Sequence, residues 1–520
     1  MILSPQKFSI FTEHFIISSI IYSLIVCTLS VYCSSSLTLQ KTLSDCIALT
    51  LFLACFMTID NHLLQLDASS FFDAVINDDL SFFTKILVCF FSFVYFFVIS
   101  DFLKDQKLTS YEYLLIILLA VLGLIFMCSG NDFLLVYLTI ELSSLAFYIL
   151  ASYQKNSNYS VDGGMIYFII WSLSSAFFLF GGSFLYGFSG VMNFFDYCCL
   201  LDRFYMMDAG FWLDFKLEAA SWEDLKNYNY INESLSLLNL GFLFILLSLS
   251  IKLALAPFHL WSLDVYENSP ISSSFFFAVI SKLSFFVLVI RIYYICFLGV
   301  RKSWQFYFIL LGIFSIFIGS FSGLRQRKLK TLLAYSSINH MGYMLLALST
   351  ATTEGIMSML FYMVIYMISG FCFWSILLYL RQKQKNLALK YNKELGDLSL
   401  LKLSNKTISY TLLFIVFSMS GIPPLVGFLA KLLILLPLIK VSFYFAAFSI
   451  ILASFISTFY YIRIVKVANF ENGIVGKLYM PLQTKKLFIL GYFMFLLIFF
   501  FFNPHSLHLM CFKSSFSLLF

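Results

Sequence analysis

The sequence predicts an all-α polytopic membrane protein with about fourteen transmembrane helices. Of its 520 residues, 61% are hydrophobic and 12% are charged, against roughly 45–50% and about 25% in soluble chains. Apolar runs of about 20 residues, the length that crosses a bilayer as a helix, recur along the chain. None of them alternates polar and apolar residues as a barrel strand would. We therefore expect lipid to surround most of the chain.

The expected spans follow the apolar runs in order. They lie near 14–33, 43–60, 80–100, 112–129, 132–152, 163–189, 239–260, 271–296, 304–323, 330–350, 356–380, 407–437, 440–465 and 486–503. The amino terminus has the features of neither a transit peptide nor a cleaved signal peptide. The first run is therefore expected to be a retained span.

Basic residues predict the orientation. If the compartment of the first loop is called side A, the side-A loops and adjacent helix ends hold 20 of the 33 Lys and Arg residues, and side B holds 8. Loops rich in Lys and Arg stay in the cytoplasm or its equivalent. Side A is therefore the matrix or cytoplasm, and both termini lie on side B.

Two long connections between the expected helices are too polar to cross the membrane. Segment 190–238, on side B, has eight acids and three bases, and segment 381–406, on side A, has the pattern of a basic amphipathic connection along the inner face. A solvated linker is an equally good interpretation of each.

Several function classes are excluded by what the sequence lacks. The net charge is only +6, and no basic run is interleaved with aromatic residues, so a nucleic-acid partner is not expected. The eleven cysteines include no C-x-x-C pair, and no glycine-rich phosphate loop is present. We expect no metal, nucleotide or redox cofactor in this chain.

The most informative residues are charges inside the expected spans. Glu141, Lys252, Lys282 and Lys431 lie within apolar runs, and each costs roughly 2.5–3.5 kcal/mol at a helix centre. Ion pairs, water or snorkelling must offset these costs. The short side chain of Glu141 cannot snorkel, and its leading partner is Lys252.

For three other basic positions, snorkelling to the membrane surface is a plausible interpretation. These are Lys85, Arg291 and, if its helix is broken, Lys431.

Prolines predict that two spans are broken. Pro257 follows Lys252 by five residues, and the pair Pro423-Pro424 precedes Lys431. Proline removes a backbone donor and clashes with the preceding turn. The two broken spans, the seventh and twelfth, are five segments apart, which indicates two inverted five-helix repeats, helices 4–8 and 9–13. Transporters use this arrangement, with ion sites near the middle of the membrane.

His340 lies between the central lysines in sequence. A lone histidine in an apolar helix is most often a hydrogen-bonded structural residue. Ser336, Ser337, Asn339 and Tyr343 surround it and favour a hydrated interior. A neutral imidazole in such a place can relay a proton.

Five segments together resemble a known family. They are GNDFLLVYLTIELSSLAFYILASYQ, SIKLALAPFHLWSLDVYENSPI, SKLSFFVLVIR, LKTLLAYSSINHMGYMLLAL and SMSGIPPLVGFLAKLLIL. They are similar to the antiporter-like proton-pumping subunits of respiratory complex I, and the resemblance covers roughly residues 65–465. It implies fourteen helices, a buried Glu141 paired with Lys252, and central Lys282 and Lys431, with proton translocation coupled to NADH:ubiquinone electron transfer elsewhere in the complex.

The same resemblance implies the setting of the chain. NADH, FMN, iron–sulfur clusters and ubiquinone are expected in partner subunits, beside neighbouring antiporter-like subunits of the membrane arm. Lipids such as cardiolipin are further candidate partners. The expected location is the mitochondrial inner membrane, with both termini in the intermembrane space. The usage of 26 Lys against 7 Arg indicates an AT-rich, organelle-encoded gene.

The expected division of the chain has four parts. Residues 1–110 hold helices 1–3, residues 111–300 the first repeat with the acidic loop, residues 301–466 the second repeat, and residues 467–520 helix 14 and a tail. Two other functions fit the same charges. One is a subunit of a multisubunit sodium/proton antiporter, and the other is a structural membrane spacer whose charges form ion pairs.

Overall fold

The computed structural model describes most of the chain, with gaps at both ends and in the long loops. The described residues are 36–64, 68–71, 73–106, 111–201, 238–382, 390–391, 393–399, 401–471, 479 and 484–517. The first expected span, 14–33, and most of the acidic segment, 202–237, lie outside them.

Helices dominate the described residues. Those that matter here are α1 Ser36–Leu64, α2 Asp79–Asp105, α3 Tyr111–Ser129, α4 Phe133–Ala151, α5 Asn158–Ser189, α6 Leu238–Lys252, α7 Leu260–Asn268, α8 Ile271–Arg291, α9 Arg301–Gly323, α10 Leu329–Leu348, α11 Thr353–Tyr379, α12 Lys406–Ser420, α13 Val426–Lys440, α14 Tyr444–Asn469, α15 Thr484–Phe502 and α16 His505–Phe516. A π-helical turn, Ile292–Cys296, extends α8.

Strands are few and short. Strand β1, Ala68–Ser70, pairs antiparallel with β2, Val75–Asn77, and Ser69 lies opposite Ile76. Strand β3, Arg381–Gln382, pairs with β4, Lys390–Tyr391, in the connection before α12.

The described residues contain eight helices long and apolar enough to cross a membrane, or nine if the bent α15–α16 pair is one span. The chain is thus an all-helical polytopic membrane protein. The number is below fourteen because the seventh and twelfth expected spans are broken, the first lies outside the described residues, α1 contributes only the shorter apolar stretch Ser44–Ile59, and α10 carries a polar stretch around His340.

The two breaks fall where the prolines predict them. Residues 253–259 separate α6 from α7, and residues 421–425 separate α12 from α13. Gly421 ends α12 in the left-handed conformation, with φ +82°, which glycine adopts without steric cost. A Cβ atom on Gly427 would lie 1.7 Å from the carbonyl oxygen of Ser418, so only glycine lets the two half-helices approach this closely.

The core of the molecule is formed by α8 and α11. In the spans Ile271–Cys296 and Thr353–Tyr379, every residue after the first one or two is buried. Helices α9 and α10 pack against each other through small residues, because a Cβ on Gly319 would meet the backbone nitrogen of Asn339 at 2.8 Å. The titratable residues of α8 and α10 therefore lie inside the protein and not against lipid.

Candidate functional site

Lys252 is the last residue of α6 and lies at the first break. Its side chain is buried, and its Nζ lies 4.5 Å from the centroid of the Trp171 ring on α5. No hydrogen-bond partner for this amine occurs among the described residues. The indole nitrogen of Trp261 donates to the carbonyl of Ile251 at 2.9 Å, and this carbonyl also accepts from the amide of Ala254 at 3.0 Å.

Glu141 lies on α4, half-buried at the lateral surface. Its helix neighbours Leu138 and Leu145 are 56% and 55% exposed. Ser144 donates a hydrogen bond of 3.2 Å to its carboxylate. The described residues contain no ion pair within 4.0 Å between Glu141 and Lys252, although the two charges still interact electrostatically.

Lys282 lies in the middle of α8 and is buried. Its Nζ lies 6.0 Å from the ring centroid of Tyr266 on α7, and within the described part of the chain it has no hydrogen-bond partner. The nearby backbone is bonded, because Tyr366 of α11 donates to the carbonyl of Ala278 at 2.9 Å.

His340 is buried on α10 and has a tyrosine hydroxyl on each ring nitrogen. Nδ1 shares a hydrogen bond of 2.6 Å with Tyr362, and Nε2 shares one of 3.0 Å with Tyr461. A neutral imidazole donates through one nitrogen and accepts through the other, and a hydroxyl can do both. The three groups therefore form a continuous hydrogen-bonded row from α11 through α10 to α14.

Lys431 lies on α13, directly against the second break. Its Nζ donates to the carbonyl of Ser420 at 2.6 Å and lies 5.4 Å from the ring centroid of Tyr343. A Cβ on Gly421 would meet the Lys431 side chain at 2.9 Å. Lys431 is buried, so it does not snorkel.

Snorkelling is also wrong for the two other basic residues. Lys85 is fully buried and donates to the Oδ1 of Asn77 at 2.6 Å. Arg291 is 1% exposed and pairs with Asp78 at 2.5 Å, and its Nε donates to the carbonyl of Cys128 at 2.9 Å. The partners Asn77 and Asp78 precede α2 in the chain. Hydropathy assigns them to a loop, but the fold places them against α8.

Sequence reasoning missed the aromatic residues that line these sites. They are Trp171, Tyr266, Tyr362 and Tyr461, whereas Tyr343, which the sequence placed beside His340, also lies next to the Lys431 amine. A signal exists in α11, where Tyr362 and Tyr366 are four residues apart in an apolar helix and so share one face. The partner of each tyrosine depends on helix packing, which the sequence pattern does not give.

Metal ligation has no support in the described residues. They contain no group of three or more His, Cys, Asp or Glu side chains that could hold a metal ion.

Comparison with known proteins identifies the family. Residues 130–457 match the family described as NADH:quinone oxidoreductase/Mrp antiporter, TM. NADH-quinone oxidoreductase subunit N of Pelagibacter ubique is 37% identical over 414 residues, 80% of each chain. NADH-ubiquinone oxidoreductase chain 2 of Marchantia polymorpha is 33% identical over 442 residues, 85% of this chain and 84% of that one.

A solved structure shares the fold. It is a chain of respiratory complex I from Thermus thermophilus with bound aureothin, at a TM-score of 0.74 and 22% identity, and the match covers 96% of this chain and 98% of that chain.

The fold and the buried charges thus define an antiporter-like membrane protein. Within that class, the chain belongs to the family of NADH-quinone oxidoreductase subunit N and NADH-ubiquinone oxidoreductase chain 2. The resemblance noted from the sequence motifs is confirmed.

Proposed function

We propose that this chain translocates protons as a membrane-arm subunit of NADH:quinone oxidoreductase, respiratory complex I, and does no redox chemistry itself. One observation carries the proposal. Lys252, Lys282, His340 and Lys431 are all buried inside membrane helices, each beside aromatic side chains. A structural spacer has no need of so many titratable groups in its core.

The first half of the route involves Glu141 and Lys252. The carboxylate stabilises the protonated lysine when the two are close, because opposite charges within about 4–6 Å favour the ionised form. In the described structure the pair is separated and the amine lies on Trp171. Separation in a dehydrated setting favours release of the proton, which then moves to Lys282.

The second half runs from Lys282 to Lys431. The Tyr362–His340–Tyr461 row lies in the interior with both lysines, whose charges act on His340. A proton that enters one end of such a row can leave at the other as each group donates and accepts in turn. Lys431, beside the break at Gly421, is the last carrier before the exit.

The finer architecture that we propose has fourteen spans and two inverted repeats, helices 4–8 and 9–13. The parts are 1–110, 111–300, 301–466 and 467–520. The two observed breaks support this division, since each places a buried lysine beside an interrupted helix. Both termini are proposed to lie on side B.

The lateral position of Glu141 supports a neighbouring subunit on that face. A partly exposed carboxylate within a membrane span cannot face lipid at low cost, so we propose that an antiporter-like subunit covers it. NADH, FMN, iron–sulfur clusters and ubiquinone would be held by other partners, and lipids such as cardiolipin by the outer surface. The proposed location is the mitochondrial inner membrane.

A subunit of a multisubunit sodium/proton antiporter is the second candidate, because the matched family description names both kinds of protein. Gentle purification of the chain from its native membrane distinguishes them. We expect the chain in a large particle that contains flavin and iron–sulfur clusters. Its recovery in a particle without either would contradict the proposal.

A further inference from the structure

We propose that α7 is a rigid link that passes the state of Lys252 to Lys282 and to α10, and that Lys330 is the positioning residue that holds the far end of this link. The inference rests on the proposed function and assigns a coupling role within it. It follows from three contacts of α7: one at its amino end with the Lys252 site, one through Tyr266 with Lys282, and one at its carboxyl end with Lys330 of α10.

At its amino end, α7 is tied to the Lys252 site. Trp261, the second residue of α7, donates to the carbonyl of Ile251, the residue before Lys252. Its ring lies 5.6 Å from the Trp171 ring in an edge-to-face arrangement, and the Lys252 amine lies over Trp171. A displacement of Lys252 or of the end of α6 therefore acts directly on Trp261.

Further along, α7 meets Lys282. Tyr266 presents its ring 6.0 Å from the Lys282 amine and donates a hydrogen bond of 3.4 Å to the carbonyl of Phe277 on α8. Trp261 and Tyr266 are five residues apart on one short helix, so they move together.

At its carboxyl end, α7 is tied to α10. The Nζ of Lys330 donates to the carbonyl of Ser269 at 2.5 Å and to that of Glu267 at 3.3 Å. Carbonyls at a helix carboxyl end lack partners within the helix, and a cation is favourable there. Lys330 is the second residue of α10 and precedes His340 by ten residues, about 15 Å along a helix.

The position of α7 depends on its contacts with neighbouring helices, because the helix is short and is interrupted at both ends. It has nine residues between the break at 253–259 and Pro270, so no continuous helix fixes its position. Lys328 forms an ion pair with the Glu267 side chain at the same end, but Lys328 is 56% exposed. Exposed pairs contribute little, and Lys330 is therefore the principal tie to α10.

The test is Lys330→Met in the assembled complex, reconstituted in vesicles, with the rate of NADH oxidation and the number of protons moved per electron as readouts. We expect electron transfer to continue and the proton-to-electron ratio to fall, with recovery in Lys330→Arg, which keeps a cationic donor. Lys328→Met is the matched control and should keep the normal ratio. A normal ratio in Lys330→Met, or an equal loss in Lys328→Met, overturns the link.

A double variant separates coupling from local damage. Trp261→Phe keeps an aromatic ring but removes the N–H donor to Ile251, and so cuts the same link at its other end. Contacts that act in series are not additive. The double variant Trp261→Phe/Lys330→Met should therefore lower the proton-to-electron ratio no further than the more damaging single substitution does. Additive losses contradict the proposal. If Lys330→Met does not assemble, Trp261→Phe alone must show the reduced ratio.

Lys282→Met in the same preparation separates this inference from the proposed function. Normal pumping in Lys282→Met would remove the proposed function. If pumping is lost in Lys282→Met but the proton-to-electron ratio is normal in Trp261→Phe and Lys330→Met, only the proposed role of α7 is contradicted.

Discussion

At the residue scale, the buried amines differ in how far their charge is compensated. A cation over an aromatic face gains about 0.5–2 kcal/mol, and a hydrogen bond to a charged group about 1.5–3 kcal/mol. Among the described residues, the amines of Lys252 and Lys282 lie near aromatic rings and have no hydrogen-bond acceptor, although the Glu141 charge also acts on Lys252. A ring alone does not offset an insertion cost of about 2.5–3.5 kcal/mol. Lys431 has both a ring and the Ser420 carbonyl. The Lys431 amine is therefore held by a hydrogen bond that the described residues do not offer to Lys252 or Lys282.

Glu141→Gln tests the carboxylate that favours protonated Lys252. Gln has nearly the same shape, so we expect the complex to assemble and oxidise NADH while moving fewer protons per electron. Glu112→Gln, in the first turn of α3, removes the same charge at a helix end and is the control. Normal pumping and normal electron transfer in Glu141→Gln would contradict the role of Glu141.

Two substitutions at Lys282 test whether it carries a proton or only supplies charge. Lys282→Met keeps the volume and removes the titratable group, so proton transfer between the halves should fail. Lys282→Arg should restore little, because a guanidinium does not release its proton near neutral pH. Proton uptake measured in vesicles gives the answer, and full pumping with Arg would show that Lys282 is a fixed charge.

Asp78 and Asp79 offer a matched pair for stability. Asp78→Asn leaves Arg291 buried without a counter-charge, which should cost about 3–5 kcal/mol. Asp79 pairs with Lys513 at 3.3 Å, but Lys513 is 54% exposed, so Asp79→Asn should cost only about 0–1 kcal/mol. The midpoint temperature of thermal inactivation should fall clearly in the first variant and barely in the second. Equal effects would mean that the buried pair is not a structural tie.

At the element scale, the two helix breaks have different structural roles. The break after Lys252 leaves a short separate helix, α7, which is tied to α10 by Lys330 and to the end of α6 by Trp261. The break before Lys431 instead provides the acceptor itself, since the Ser420 carbonyl at the end of α12 is free to bind the amine. In a continuous helix that carbonyl would face the nitrogen of residue 424, and Pro424 has no N–H to donate.

Replacing Pro423 and Pro424 with Ala tests the second break. The double variant should favour a continuous helix, withdraw the Ser420 carbonyl from Lys431 and slow proton exit, while the complex still assembles. Pro504→Ala, in the bend between α15 and α16, is the control. Stopped-flow measurement of proton release should show slowing in the double variant alone, and an unchanged rate would exclude the break from the exit route.

At the scale of the whole molecule, the sequence predicted the features that depend on local chemistry. Prolines 257, 423 and 424 predicted both breaks, and the apolar runs predicted the helices that bury Lys282 and His340. The sequence did not predict the contacts between helices. Nothing in the pattern places Trp171 beneath Lys252, and the short loop before α2 gave no sign that Asp78 would reach Arg291. Those partners depend on packing between segments far apart in the chain.

The central claim is that electron transfer in partner subunits drives protons, and not sodium, through this chain. The most direct measurement compares the intact complex with Lys252→Met in sealed vesicles, where NADH oxidation and internal pH are recorded in sodium and in sodium-free potassium buffer. We predict the same proton-to-electron ratio in both buffers for the natural chain and a lower ratio in both for Lys252→Met. Proton movement that requires sodium, or a ratio unaffected by Lys252→Met, would contradict the account.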